Sequence, residues 1–171
     1  MASKFTSRTP WRVKLEKDRD HAGPLPKVVP IPPKMAKRLG AGTLLIPRPL
    51  DVDAEVRKVR AGKLITVSRI RQRLADRFGA STTCPLCTGI FLRIAAEAAE
   101  EDRRAGKTRI TPYWRVVRDN GGLNEKFPGG VAAQSGRLRA EGHTIEAGKG
   151  KKTPRVRHFE KALVKDYATT G

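Results

Sequence analysis

Through the middle of the chain, apolar residues recur with a helical period. From Asp51 onward, Val52, Val56 and Val59 fall on one face behind acidic residues suited to a helix N-terminus, and Gly62 is a natural end. After the apolar run Leu64-Ile65-Thr66-Val67, Ser68 is placed to cap a second helix through Phe78. Ile70, Leu74 and Phe78 share one side of it, Arg69, Arg71, Arg73 and Arg77 spread over the rest, and Gly79 is its stop. A third helix follows Ser81-Thr82-Thr83-Cys84 and opens on Pro85, at a first-turn position where a missing N–H costs nothing. Leu86, Ile90, Phe91, Ile94 and Ala98 are its expected core face. Its N-terminal end is uncharged and its C-terminal end carries Glu97, Glu100, Glu101 and Asp102, so only the former suits a phosphate. Two helices joined through residues 79–83, the second entered by its N-terminus, make a helix-turn-helix candidate.

Beyond Gly106 the pattern turns strand-like. Ile110 to Arg118 reads as a strand, Asp119-Asn120-Gly121-Gly122 as a turn, and Leu123 to Gly130 as the return, a candidate wing beside the helices. Val131 to Glu141 is a last short helix with Gln134, Arg137 and Arg139, closed by Gly142. Upstream, the proline-dense stretch from Pro24 to Pro49 must be largely extended or turning, broken by a short helix at Lys34–Leu39, and it reads as an arm or wrapping segment. Gly148 to Lys152 reads as a solvated loop. The expected class is mainly α with a small β wing, a winged helix-turn-helix with extended basic arms. Its divisions are a Pro-rich basic N-terminal arm over 1–50, a helix-turn-helix domain over 51–147 and a basic extension over 148–171. Roughly 100 residues are expected to pack well, with the flanks loose.

Charge turns this fold into a binding expectation. The 171 residues hold 36 Lys plus Arg against 17 Asp plus Glu, a net +19. Both ends contribute, with 11 basic and 3 acidic residues in 1–50 and 7 against 2 in 148–171. A polyanion is the expected partner, nucleic acid first; a membrane surface, an acidic protein or RNA would satisfy net charge alone. No run approaches the roughly 18 apolar residues of a membrane-spanning helix, and the N-terminus lacks the apolar core of a signal peptide, so a cytoplasmic protein is expected, nucleoid-associated in a bacterium. Cys84 and Cys87 form a Cys-x-x-Cys, whose readings are a metal site, a redox pair or, by default, buried thiols on a helix's first turn. His143 and His158 are spaced too widely for a zinc hairpin, so neither metal nor cofactor is expected.

Five segments, in order, carry a family resemblance. Gly62-Lys63-Leu64-Ile65-Thr66 is similar to Gly-Lys-Val-Thr-Thr, Thr88-Gly89-Ile90 to Val-Gly-x, and Pro112-Tyr113-Trp114-Arg115-Val116-Val117 to Pro-Cys-His-Arg-Val-Val. Phe127-Pro128-Gly129-Gly130 resembles a binding-site Gly-Gly loop, and Leu138-Arg139-Ala140-Glu141-Gly142 resembles Leu-x-x-Glu-Gly. Over about half its length the chain therefore resembles the DNA-binding domain of O6-alkylguanine-DNA alkyltransferases and the alkyltransferase-like proteins.

The departures shape what the resemblance implies. In the enzymes a cysteine thiolate takes the alkyl group, activated through an adjacent histidine and a more distant glutamate. Tyr113 and Trp114 stand at the cysteine and histidine positions, leaving Glu141, so alkyl transfer is not expected. Leu86 or a neighbour replaces the family's intruding arginine, and Val67 replaces the tyrosine that helps rotate the target nucleotide. Alkyltransferase-like proteins usually keep the histidine, so the chain departs from them too. The resemblance implies a base pocket at Tyr113, Trp114, Phe127, Gly129, Gly130 and Glu141, with Arg115 structural. The plainer reading is that Trp114 packs in the core and Tyr113 fills the old pocket. Candidate contacts to double-stranded DNA are Thr66, Ser68, Arg69, Arg71, Arg73, Thr82, Thr83, Thr88, Arg118 and Lys126. The functional expectation is a non-enzymatic binder that recognises alkylated or flipped bases and leaves repair to other proteins. The alternatives are a lesion-independent architectural or regulatory module and, more remotely, an enzyme transferring to Cys84 or Cys87.

Overall fold

A computed structural model of the chain describes residues 9–165. Residues 1–8 and 166–171, the outer ends of the two expected arms, lie outside the described residues. Among the described residues, six α-helices run in chain order: α1 (Trp11–Leu15), α2 (Pro33–Leu39), α3 (Pro49–Arg57), α4 (Val67–Phe78), α5 (Pro85–Arg104) and α6 (Gly130–Ala140). Nine short strands lie between them: β1 (Arg19–Asp20), β2 (Gly23–Pro24), β3 (Lys27–Pro30), β4 (Thr43–Ile46), β5 (Ile65–Thr66), β6 (Thr82–Thr83), β7 (Val116–Val117), β8 (Ile145–Glu146) and β9 (Arg155–Val156). The architecture is mixed, with small sheets around the helices.

The core forms where α3, α4 and α5 meet. Val52, Val56, Ile70, Leu74, Leu92 and Ala96 bury one stripe from each helix, the result expected of amphipathic helices that share one core. α5 also buries a second side, because Ala95 and Ala98 are small enough to admit Leu15 of α1. The expected core face of α5 is accordingly corrected. Leu86 and Ile90 are exposed, at 71% and 50%, while Thr88, Leu92, Ala95, Ala96, Ala98 and Ala99 are buried. Alanines win the interior because they let backbones approach; the larger residues near the N-terminus project past the neighbouring helices.

The acidic end of α5 is also turned inward. Glu100 and Asp102 are buried, as are Asp51, Asp53 and Glu55 of α3. Each pairs with a base: Asp51 with Arg48, Asp53 with Arg57, Glu55 with Lys58, Glu100 with Arg103 and Arg137, and Asp102 with Arg12 and Lys107. Buried charge is tolerated only when paired.

The proline-dense segment packs more tightly than a loose arm. β3 pairs antiparallel with β4, and β4 pairs parallel with β6 at the entry to α5. Leu45 of β4 is fully buried in the main core. The short α2 lies between β3 and β4, on the segment expected to be helical. The C-terminal segment packs as well: β9 pairs with β8, and Val156 and Phe159 join Leu64, Val117, Leu123 and Leu138 in a second cluster.

The expected wing does not form from residues 110–130. Val116–Val117 pairs instead with Ile65–Thr66 in parallel, behind a single 3-10 turn at Tyr113–Arg115. The Leu123 N–H donates to the Pro154 carbonyl, so the C-terminal segment takes the place of a hairpin partner.

Leu45 offers a test of whether the N-terminal region is integral to the fold. Leu45→Ala should destabilise the protein by about 2–5 kcal/mol, the usual range for emptying a packed leucine site. Denaturant unfolding checks this; a loss below about 1 kcal/mol would mean that β4 is a detachable arm.

Candidate nucleic-acid interface

Helix α4, its turn and α5 form the helix-loop-helix unit in which most of the candidate contacts lie. Thr66, not Ser68, caps α4, accepting the Arg69 N–H at 3.2 Å. Ser68 instead bonds Asp119 through its hydroxyl and its backbone N–H. Gly79 ends α4 at φ 70°, a left-handed conformation open to glycine. Arg71 then fixes the turn, its Nε donating to the Thr83 carbonyl at 3.1 Å and its terminal nitrogen to Thr82 Oγ1 at 3.2 Å.

Several candidate DNA contacts are therefore internal. Thr83 and Thr88 are fully buried, and their hydroxyls donate to the backbone carbonyls of Arg71 and Cys84. Neither reaches a phosphate, which corrects the expectation for both. Thr66 serves as a cap, while Arg71 and Thr82 hold the turn. Arg69 is exposed on α4, whereas Arg73 donates to the Lys165 carbonyl at 3.3 Å. Arg118 and Lys126 are exposed near α5.

At the N-terminal half of α5 lies a groove of about 540 Å³. Pro85, Leu86, Gly89 and Ile90 line it on its apolar side and Lys14, Arg93, Arg118 and Lys126 carry its charge, with no acid lining it among the described residues. Sequence reasoning misses Lys14 and Arg93. Arg93 has a legible signal, since Leu86, Gly89, Ile90 and Arg93 share one helical face. Lys14 has none, because only the docking of α1 on α5 places it there. Arg118 also lines a second depression of about 630 Å³ with Lys149, Lys151, Lys152 and Arg155, although Glu125 and Glu146 share that wall.

The expected base pocket is filled by its own residues. Tyr113 is 2% exposed and stacks edge-on against Trp114 and Phe127, with ring centroids 5.4 and 5.3 Å away. Its hydroxyl donates to Glu100 Oε1 at 2.8 Å. Burial first, and then the bond to the Glu100 carboxylate, push the phenol's pKa up, so no phenolate nucleophile exists at neutral pH. Gly129 and Gly130 turn the chain at positive φ into α6; a Cβ on Gly129 would meet that of Ala133 at 2.6 Å. A shallow depression of about 300 Å³ remains beside Tyr113, bordered by Pro128, Gly129 and Arg137. The loop preceding α6 joins the two places, with Lys126 on the groove and Pro128 on the depression.

Glu141 lies in a different environment from the one a base pocket requires. Arg115 clamps it, with Nε at 2.9 and 3.1 Å from its two oxygens and a terminal nitrogen at 2.5 Å. Arg115 also donates to the Val59 carbonyl at 2.6 Å, and Glu141 accepts from Trp114 Nε1 at 3.1 Å and the Gly62 N–H at 3.4 Å. Three of the five family-like segments meet at this carboxylate. Burial opposes ionisation of Glu141, but the bonds from Arg115 and Trp114 outweigh it and hold its pKa below the ordinary range. Glu100 behaves alike, its burial outweighed by bonds from Arg103 and Tyr113 and by the charge of Arg137.

No model of a known protein family matches the sequence, and no curated protein matches it. Among solved structures, the crystal structure of S. pombe Atl1 in complex with damaged DNA containing O6-carboxymethylguanine is similar, with 18% identity and a TM-score of 0.47. The match covers 69% of this chain and 94% of that one. Among the described residues, no helix is long and apolar enough to cross a membrane.

Glu141→Gln should leave the Arg115 charge buried with a weak partner and cost about 3–5 kcal/mol at neutral pH. Because the folded pKa lies below the ordinary 4.5, the unfolded chain binds the proton first as pH falls. The stabilisation is complete above pH 4.5 and lost as pH falls through the folded value, so stability measured by denaturant should drop less steeply there in the variant. An equally steep acid limb would assign the acid sensitivity to other carboxylates.

Proposed function

We propose that this chain is a non-enzymatic protein of the alkyltransferase-like type that binds double-stranded DNA and recognises alkylated or flipped bases for repair. The observation that carries DNA binding is the groove at the N-terminal half of α5, lined by Lys14, Arg93, Arg118 and Lys126 and, among the described residues, by no acid. A helix N-terminus within a basic lining favours phosphate through both the helix dipole and the fixed charges. The net charge of +19 supplies a long-range attraction of the same sign. The ordered family-like motifs support base recognition, and the depression at Tyr113, Gly129 and Arg137 is where an extruded base would be read. Repair proteins are then the downstream partners, in the cytoplasm or on the nucleoid.

A second reading has its own observation. Tyr113 occupies the centre of the base pocket and is held there by Glu100, which favours a lesion-independent DNA clamp. The two readings separate in a fluorescence-anisotropy titration of matched duplexes with and without one O6-methylguanine, at two salt concentrations. The base-recognition reading expects preference for the modified duplex at both salts; the clamp expects equal affinities that fall steeply with salt. In either case Arg118→Ala/Lys126→Ala should weaken binding to all duplexes and lower the log–log salt slope by about two, one for each phosphate that is no longer neutralised. An unchanged slope would place the interface elsewhere.

A further inference from the structure

Cys84 and Cys87 take no part in the DNA-binding reading, yet their setting is specific. β6 ends at Thr83, Cys84 is the N-cap of α5, and Pro85 opens the helix. Cys84 Sγ accepts the Cys87 backbone N–H at 3.4 Å, which places the first sulfur over the turn that carries the second residue. Residues three apart on a helical turn are neighbours, within the roughly 4.4–6.8 Å between Cα atoms that a disulfide spans.

The surroundings divide the roles of the two sulfurs. The neighbouring Cys87 side chain favours the Cys84 thiolate, the Cys87 backbone N–H donates to Cys84 Sγ, and Arg71, fixed on Thr82 and Thr83, supplies positive charge. Together these outweigh burial and hold the Cys84 thiol well below the usual thiol range, while Cys87 is pushed up. Both cysteines are free; Cys84 is buried, with 7% of its surface exposed, and Cys87 is half-buried. Among the described residues, no group of three or more potential metal ligands forms around them.

We propose that Cys84 and Cys87 are a reversible dithiol–disulfide pair that exchanges with low-molecular-weight disulfides of the glutathione type. The Cys84 thiolate attacks one sulfur of the incoming disulfide, breaking its S–S bond. The departing thiolate takes the proton of Cys87. The Cys87 thiolate then attacks the Cys84 sulfur of the mixed disulfide, closing the intramolecular bond and expelling the second small thiolate, which solvent protonates. The two protein thiols lose two electrons, and the incoming disulfide becomes two thiols. This chemistry holds whether or not the protein binds DNA.

The test uses the full chain, folded and reduced, incubated with oxidised glutathione, quenched in acid and weighed intact. Wild type is expected to lose two hydrogens and keep no glutathione. Cys87→Ser, lacking the second sulfur, should keep one glutathione on Cys84. Iodoacetamide labelling guards against misfolded variants: Cys84 in the folded wild type should react about tenfold or more faster near neutral pH than in the urea-unfolded chain, as a thiolate at a helix N-terminus does. A wild type that stays a dithiol, or stops at a stable glutathione adduct, overturns the proposal. Labelling that is no faster in the folded state overturns it equally.

Discussion

Arg115 sits where three segments far apart in sequence converge, and its pairing with Glu141 constrains everything around it. The guanidinium reaches the end of α6 through Glu141 and the chain beyond α3 through the Val59 carbonyl, while Glu141 accepts the Gly62 N–H. The parallel pairing of β5 with β7 begins beside this point, so the entry to α4 is set from here. A fork of donors on a carboxylate fixes direction as well as distance, which a purely apolar contact would not. A lysine at 115 would supply a point charge without that geometry.

The same logic governs the distribution of charge. Asp51, Asp53 and Glu55 of α3 and Glu100 and Asp102 of α5 are drawn into buried pairs, and among the described residues no acid lines the α5 groove. Internal pairing and external binding potential are thus connected. The aromatic cluster of Tyr113, Trp114 and Phe127 depends on it too, because Glu100 satisfies the Tyr113 hydroxyl that burial would otherwise leave costly.

The exposed apolar turn of α5 connects the groove with the cysteine pair. Leu86 lies between Cys84 and Cys87 in sequence and lines the groove in space. Arg71 and the threonines of the preceding turn hold this point rigidly from below. Residues whose type and position suggest phosphate binding therefore have a scaffold role, positioning the helix N-terminus that faces outward.

Local signals are legible along the chain: the helices α3 to α6, the stop at Gly79, Pro85 in the first turn of α5 and the strong basic balance all follow from periodicity, capping and composition. These depend on each residue's immediate neighbours. Choices made between distant segments are not legible in this way. β7 pairs with β5 instead of forming a hairpin, and Leu45 and Leu15 close the core from a region that reads as an arm. The hydrophobic face of α5 is ambiguous for the same reason, since alanines and leucines alike satisfy a helical period. That helices form over α3 to α6, and that the molecule is a polycation, thus follow from the order of residues alone, although α3 ends at Arg57 and not at Gly62, and Thr66 and not Ser68 caps α4. Which face of α5 is buried, whether Tyr113 fills its pocket and which threonines reach solvent are settled only by folding, because each depends on the size and charge of groups that folding brings together.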